Sequence, residues 1–420
     1  MNSIETQNGL TVRRYSVLFA VMVFAAVFMP TKFFWLPPVG LFVLFITSRS
    51  WKWRFPLPGL QLSNPLLALV VFAAYAIISS FWGEQEHLML SLGKALLLCA
   101  LALCGYLLVQ NSKNLKMESF QRGGRVAVLF FLFGIGGYLI LVFESVTYGF
   151  IYRSFWNYVA PILTDSEPKF LNIIEQNGHW TFNPQYMVYA LLVFPMAMAL
   201  KSKMTRGVLL GFVLVSTLLL SANEAAKVGL LVGIGIVAVL PRMPERLQSV
   251  ALWGLLGAFI VMPFCIAMFS PAPQFILDLD NKIASLNAAP RFELYKAVIM
   301  DVVTQPWFGY GRDAARIDHS AFLFGRFAHY PHNFTLQIWL ELGIFGLILL
   351  VWLLGVILHN IQKIPLQYRF YTLGGFFCAL CPITFSYNLW SGWVVALFCI
   401  TFWLFILFGH EAEKTSTLTE

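Results

Sequence analysis

Residues 333–358 read NFTLQIWLELGIFGLILLVWLLGVIL, and Glu341 is the single charged residue in the run. About 20 apolar residues carry a helix across the hydrocarbon core of a bilayer, with roughly 17–25 usual. This stretch meets that length. It opens on polar residues, Asn333, Thr335 and Gln337, and continues apolar beyond Glu341. Its N-terminal end therefore reads as the mouth of a transmembrane helix.

The rest of the chain has the same character. Of 420 residues, 59% are hydrophobic and 11% charged, whereas a soluble domain carries about 25% charged residues. A soluble protein of this size would lack the charge to cover its surface. A soluble enzyme, a disordered chain and a disulfide-stapled secreted domain are thereby excluded. The 40 Phe and 13 Trp suit helices in lipid with aromatic anchors at the interfaces. Further candidate spans lie at about 15–31, 33–48, 64–82, 88–110, 125–144, 184–201, 206–222, 227–241, 248–269, 370–387 and 391–409. The expectation is an all-α polytopic membrane protein of about twelve transmembrane helices.

Charge orients these spans. If the N-terminus is cytoplasmic, the inner segments collect Arg13, Arg14, Arg49, Lys52, Arg54, Lys113, Lys116, Arg122, Lys201, Lys203, Arg206, Arg242, Arg246, Lys363 and Arg369. The short outer loops hold only Lys32 and Lys227. Basic loops stay inside, so both termini are expected in the cytoplasm. Arg13 and Arg14 precede an apolar run without a small-residue cleavage site, so the first helix reads as a retained span and not a signal peptide. The net charge of +8 is thus accounted for without nucleic acid. Two outer segments are long, at about 145–183 and 270–332. Their aromatic residues, among them Trp156, Trp180, Phe292, Trp307 and Phe308, favour short helices at the outer interface. The chain divides accordingly into 1–269, a large outer loop 270–332, and 333–420.

The outer loop 270–332 carries Lys282, Arg291, Lys296, Arg312, Arg316 and Arg326 against Asp278, Asp280, Glu293, Asp301, Asp313 and Asp318. Any anion site there must arise from placement, since the charges cancel. Arg312 and Arg316 share a face if helical; paired, solvated loop charges are the plainer alternative. His329 and His332 have a metal-like spacing, but no adjacent carboxylate or Cys completes a ligand set, so no metal is called for. His332 stands at the mouth of the 333–358 span. An imidazole, with a pKa of about 6.5, can accept a proton from a hydroxyl there; a locally hydrogen-bonded interfacial histidine is the alternative. Glu341 lies about 13–14 Å further along a helix axis, too far to orient the imidazole directly. Lys94 falls within the fourth span. A charge at a helix centre in a bilayer costs roughly 2.5–3.5 kcal/mol, so it should face a cavity or partner, or else snorkel to the outer end. Glu224 and Lys227 flank a short turn and can pair with each other. The six cysteines lie in apolar runs and read as small hydrophobes; Cys378 and Cys381 have CxxC spacing without a βαβ context. No P-loop or dinucleotide fingerprint is present, so nucleotide-driven chemistry is not expected.

Two elements carry a family resemblance. The first is Pro290-Arg291-Phe292-Glu293-Leu294-Tyr295-Lys296-Ala297, continuing to Gln305-Pro306-Trp307-Phe308-Gly309-Tyr310-Gly311. The second is His332-Asn333-Phe334-Thr335-Leu336-Gln337, followed by Glu341, Gly343 and Gly346. Their order and spacing resemble the O-antigen ligases, whose superfamily also holds O-antigen polymerases and protein O-oligosaccharyltransferases. The resemblance implies a helical, GT-C-like membrane glycosyltransferase of the bacterial inner membrane. It would take a glycan from undecaprenyl diphosphate on the periplasmic face and pass it to the lipid A–core, without cofactor or metal. Arg291 matches the family's loop arginine and is expected to bind the diphosphate; His332 matches its histidine and is expected to act as general base. Lys94 matches a basic position in the fourth span. Lys282 stands where ligases tend to carry another arginine, and Arg312 and Arg316 are further diphosphate candidates, with Asn333, Glu341 and His329 supporting. The turn Ser221-Ala222-Asn223-Glu224-Ala225-Ala226-Lys227 lacks the arginine the family often has there, and Lys227 is the substitute one turn later. That departure favours a polymerase over a ligase. A transporter or lipid flippase, and a non-catalytic scaffold of an envelope assembly, also fit twelve spans, but mid-span ionisable residues are few and no repeated halves are visible.

Overall fold

A computed structural model describes residues 62–82, 89, 92, 124–147, 150–151, 182–200, 202–282, 288–316 and 330–417. Lys94, His329, the candidate spans 15–31 and 33–48, and most of 88–110 and of 145–183 lie outside the described residues. The described elements are helical, with no strand among them. In chain order they are α1 (Pro65–Ser79), α2 (Gly124–Val146), α3 (Asn183–Ala199), α4 (Lys203–Leu220), α5 (Glu224–Val239), α6 (Glu245–Met268), α7 (Gln274–Lys282), α8 (Ala289–Thr304), α9 (Phe334–Gln362), α10 (Leu366–Phe385) and α11 (Gly392–Thr417). Among the described residues, four stretches are long and apolar enough to cross a membrane: Lys203–Leu220, Glu224–Arg242, Glu245–Met268 and Phe334–Gln362. Along α6, Val250, Trp253 and Val261 stay exposed, as suits a helix whose outer face meets lipid and not water. The chain is a helical membrane protein.

The chain forms two compact units, one from Met1–Trp53, Cys104–Ile234 and Ala396–Glu420, the other from Arg54–Leu103 and Gly235–Val395. In the first unit, α3 packs against α2 and α4. It is buried on every side from Gln185 to Met198, as expected of a helix apolar all round. Its partners are tied by hydroxyls: Tyr138 Oη lies 2.6 Å from Ser216 Oγ, and Tyr186 Oη donates to Ser145 Oγ at 2.7 Å.

The second unit is built around α9. Helix α1 runs against it, with Asn64 capping the N-terminus of α1 through Leu66 N at 3.0 Å, a contribution of about 1 kcal/mol. Trp352 Nε1 and Asn360 Nδ2 of α9 donate to the Leu62 and Ser63 carbonyls just ahead of α1. Helices α8 and α10 also pack on α9, and α8 leans on α6. Between them Leu294, Tyr295, Val298, Val302, Leu336 and Leu340 form one buried apolar core, joined by Ala267 and Ala315. Among its described residues the segment 270–332 holds the α-helices α7 and α8, and α8 is integral to the core.

Candidate active site around His332

Helix α8 starts where its sequence allows. Pro290 in the first turn needs no hydrogen bond for its nitrogen. The carboxylate of Asp280, on α7, accepts from Ala288 N at 2.9 Å and Ala289 N at 2.6 Å. Two backbone donors at the head of α8 are thereby satisfied by an anion, favourable at the positive end of a helix. Arg291 follows directly and is half-buried. One turn on, the fully buried Tyr295 hydroxyl lies beside Arg291 and Asn333. Burial raises the pKa of the Tyr295 phenol, and the positive charge of Arg291 acts in the opposite direction.

His332 is the last residue but one before α9 and sits at φ 52°, in the left-handed region. The sharp bend lets Asn333 cap α9, its Oδ1 accepting from Thr335 N at 3.0 Å and Leu336 N at 3.1 Å. It also turns the imidazole toward the end of α10. There His332 Nδ1 lies 3.0 Å from the Ser386 carbonyl oxygen, which also accepts from Tyr330 Oη at 3.0 Å. The Tyr330 and His332 rings are 4.2 Å apart. A carbonyl can only accept, so Nδ1 carries the proton and Nε2 holds the lone pair. Burial lowers the His332 pKa from 6.5; the Ser386 bond works against this, and the nearby Arg291 charge adds to it. The imidazole is therefore neutral near neutral pH, with a guanidinium in electrostatic reach. Such a pair can accept a proton at one atom and hold an anion at the other.

Beyond His332, α9 is broken. Gly343 takes φ 68° and ψ −170°, and the loop after α8 fills the gap. Tyr310 N donates to the Leu340 carbonyl at 2.9 Å, Gly311 N to that of Glu341 at 2.8 Å, and Ile344 N to that of Pro306 at 2.9 Å. Tyr75 Oη, from α1, donates to the Leu342 carbonyl at 3.1 Å. Groups freed by the break are thus met by protein, which is how irregular backbone survives at membrane depth.

The side chain of Glu341, fully buried, anchors this junction. It accepts from Gln337 Nε2 at 3.1 Å, from Asp313 N at 3.1 Å, and from Trp390 Nε1. Gln337 reaches on to Asn388 Oδ1 at 2.9 Å, and its Oε1 accepts from Leu389 N at 3.2 Å. Arg312 is buried too, its guanidinium carbon 5.0 Å from the centroid of the Trp390 ring, a cation–π arrangement. Phe72 stacks on Trp390 at 6.1 Å.

The residues singled out by the sequence separate as follows. Arg291, His332, Asn333, Glu341 and Arg312 all lie in the second unit, with Arg291 and Asn333 beside Tyr295 and the Arg291 charge in electrostatic reach of His332. Lys282 ends α7, exposed, two residues past the Asp280 that caps α8. Arg316 closes a short 3-10 turn, Ala314–Arg316. Lys227 belongs to the first unit, where its Nζ donates to Glu224 at 2.9 Å. Among the described residues no three His, Cys, Asp or Glu gather as a metal ligand set. The sequence assigned no role to Tyr330, Ser386, Asp280, Asn388 or Trp390. Gln337 and Glu341, four apart on a helix, did carry a local signal of pairing.

Residues 188–351, which include Arg291, His332 and Glu341, match the family described as O-Antigen ligase. A Rickettsia typhi protein named "Putative polysaccharide ligase" is 25% identical over 268 residues, covering 61% of this chain and 61% of its own. A Rickettsia bellii protein of the same name is 25% identical over 290 residues, covering 66% and 65%. The chain thus spans somewhat under two thirds of the length of the curated relatives it matches. The family match spans both elements, the arginine-headed α8 and the histidine-headed α9, and over this stretch the chain is similar to the O-antigen ligases.

Proposed function

We propose that this protein is a membrane glycosyltransferase that moves a glycan, an O-antigen, from undecaprenyl diphosphate to the lipid A–core. In this reading it spans the bacterial inner membrane about twelve times, keeps both termini in the cytoplasm, and works on the periplasmic face through the segment 270–332. The single observation carrying the reading is the His332 imidazole held at Nδ1 by the Ser386 carbonyl, with the Arg291 charge in electrostatic reach.

The chemistry follows from those two groups. His332 Nε2 takes the proton of an acceptor sugar hydroxyl. The oxygen then attacks the anomeric carbon, a new C–O bond forms, and the bond from that carbon to the diphosphate oxygen breaks. Its electron pair leaves with the diphosphate, where Arg291 balances the charge by bidentate hydrogen bonds. The imidazolium returns its proton to the released diphosphate or to water. The diphosphate already activates the sugar, so no nucleotide enters. Lys282, Arg312, Arg316 and Lys94 are further cations for the diphosphate in this reading.

The test is reconstitution in liposomes with an undecaprenyl-diphosphate-linked glycan and lipid A–core. Glycosylated lipid A–core is the expected product, lost on His332→Ala and on Arg291→Ala. A longer lipid-linked glycan with unmodified core would mean a polymerase, the alternative that the missing arginine at 221–227 favours. Flipping of the donor without a new glycosidic bond would overturn the enzyme reading.

A further inference from the structure

The Ser386 carbonyl that holds His332 belongs to the turn between α10 and α11. Ser386 N and Tyr387 N both donate to the Pro382 carbonyl, and Asn388 Oδ1 accepts from Trp390 N at 2.8 Å. Tyr330 and His332 meet the Ser386 carbonyl, and Ser391 N donates to the Asn388 carbonyl. Tyr387 packs on Trp393, and Arg312 and Phe72 lie on the Trp390 ring. Two side chains of α9 add polar ties. Gln337 bonds Asn388 Oδ1 and Leu389 N, and Glu341 bonds Trp390 Nε1. Gln337 and Glu341 also bond each other at 3.1 Å. The relevant side chains are almost wholly enclosed: Gln337 is 1% exposed, Glu341 0% and Asn388 3%. The Gln337 amide has both a carboxylate and an amide oxygen for its donors and a backbone N–H for its acceptor, so its orientation is fully determined.

We infer that Gln337 and Glu341 are positioning residues for His332, acting through the turn 386–390, whose Ser386 carbonyl fixes the imidazole with Nε2 unprotonated. This deepens the proposed function and rests on His332 being its base. His332 and Asn333 head α9, and Gln337 and Glu341 follow on that helix. The turn is thus clamped to the helix that bears the histidine, at two points beyond it. Helix position and carbonyl position are set together, and the imidazole cannot rotate away without breaking its bond to the Ser386 carbonyl. The groups facing His332 are Arg291 from α8, Tyr330 from the preceding loop, and the Ser386 carbonyl from the end of α10. Glu341 reaches His332 only through this chain of bonds.

The inference is tested on the full-length protein in liposomes. Nitrogen-15 NMR of histidine-labelled protein reads the His332 tautomer and its titration, with His332→Gln assigning the signal. Parent protein is expected to show Nδ1 protonated and Nε2 free. Gln337→Leu is expected to give a mixture of tautomers and a titration moved to lower pH, because the Ser386 bond favours the charged ring. Trp390→Phe, which removes only the donor to Glu341 and keeps the ring against Phe72, should produce a smaller change of the same sign. It decides the matter if Gln337→Leu does not fold. Asn360→Ala, at the far end of α9, should leave the spectrum as in the parent. In the transfer assay Gln337→Leu should lower kcat by up to about 100-fold, the scale of a roughly 1 Å misplacement, with KM for the lipid-linked donor little changed. An unchanged His332 tautomer and titration in folded Gln337→Leu, or in Trp390→Phe where the first does not fold, overturns the positioning role. Absence of transfer by the parent overturns the proposed function instead, and the NMR still decides the positioning.

Discussion

Gly309 and Gly343 meet backbone to backbone, both at φ 68°. A Cβ on Gly309 would come within 2.6 Å of Gly343 N and of the Glu341 carbonyl, and one on Gly343 would overlap the Trp307 carbonyl. The left-handed conformation alone strains any other residue by about 1–3 kcal/mol, before the overlap is counted. Gly343→Ala and Gly309→Ala should each lower the thermal midpoint in detergent and reduce the folded yield. Gly254→Ala, where an added Cβ meets nothing within 4 Å, should not.

Removing the imidazole should remove most of the rate. A well-placed general base contributes about 10²–10⁴-fold, so His332→Ala should lower kcat by that order while the protein stays folded. Arg291→Lys keeps the charge and loses the planar fork. It should weaken donor use less than Arg291→Ala does, measured as kcat/KM with the lipid-linked donor.

The pH dependence follows from the His332 shift. Burial lowers its pKa below 6.5, and the Arg291 charge lowers it further against the opposing Ser386 bond. Only the neutral ring takes a proton, so the transfer rate should be level near pH 7 and fall as pH drops through that lowered pKa. Arg291→Gln should move this acid limb to higher pH. Stability has the same sign: below about 6.5 the unfolded chain takes up a proton that the folded chain resists, so His332 makes the fold less stable as pH falls, until the folded pKa is passed. Urea midpoints for parent and His332→Gln at pH 7 and pH 5 should show a smaller acid loss in the variant.

Asp280 should matter although it holds no substrate in this scheme. Its carboxylate ties α7 to the head of α8, one turn from Arg291. Asp280→Ala should cost about 0.5–2 kcal/mol, the range for a lost helix cap. It should also raise KM for the donor through a looser Arg291, and Asp280→Asn should recover part of both.

Much of the helical content was legible because lipid imposes long apolar runs, and a run such as 333–358 admits one reading. The break at Gly343 was not, since glycine inside a membrane helix usually continues it, and only the docking of Pro306–Gly311 makes it a break. Arg291 and His332 were singled out through motif order. Ser386, Asn388 and Trp390 were not: a turn that contributes a carbonyl, an amide and an indole leaves no spacing to detect. Arg312 reads in sequence as a loop charge, yet the structure buries it over Trp390, a placement that depends on a residue 78 positions away.

The seam between the Pro306–Gly311 loop and the interrupted α9 is written almost wholly in main-chain atoms. Trp307 and Phe308 meanwhile point outward, 62% and 58% exposed. Substitution there changes what the rim offers to its surroundings while the seam stays shut. Those two side chains are therefore free to change so long as the two glycines that close the seam are kept.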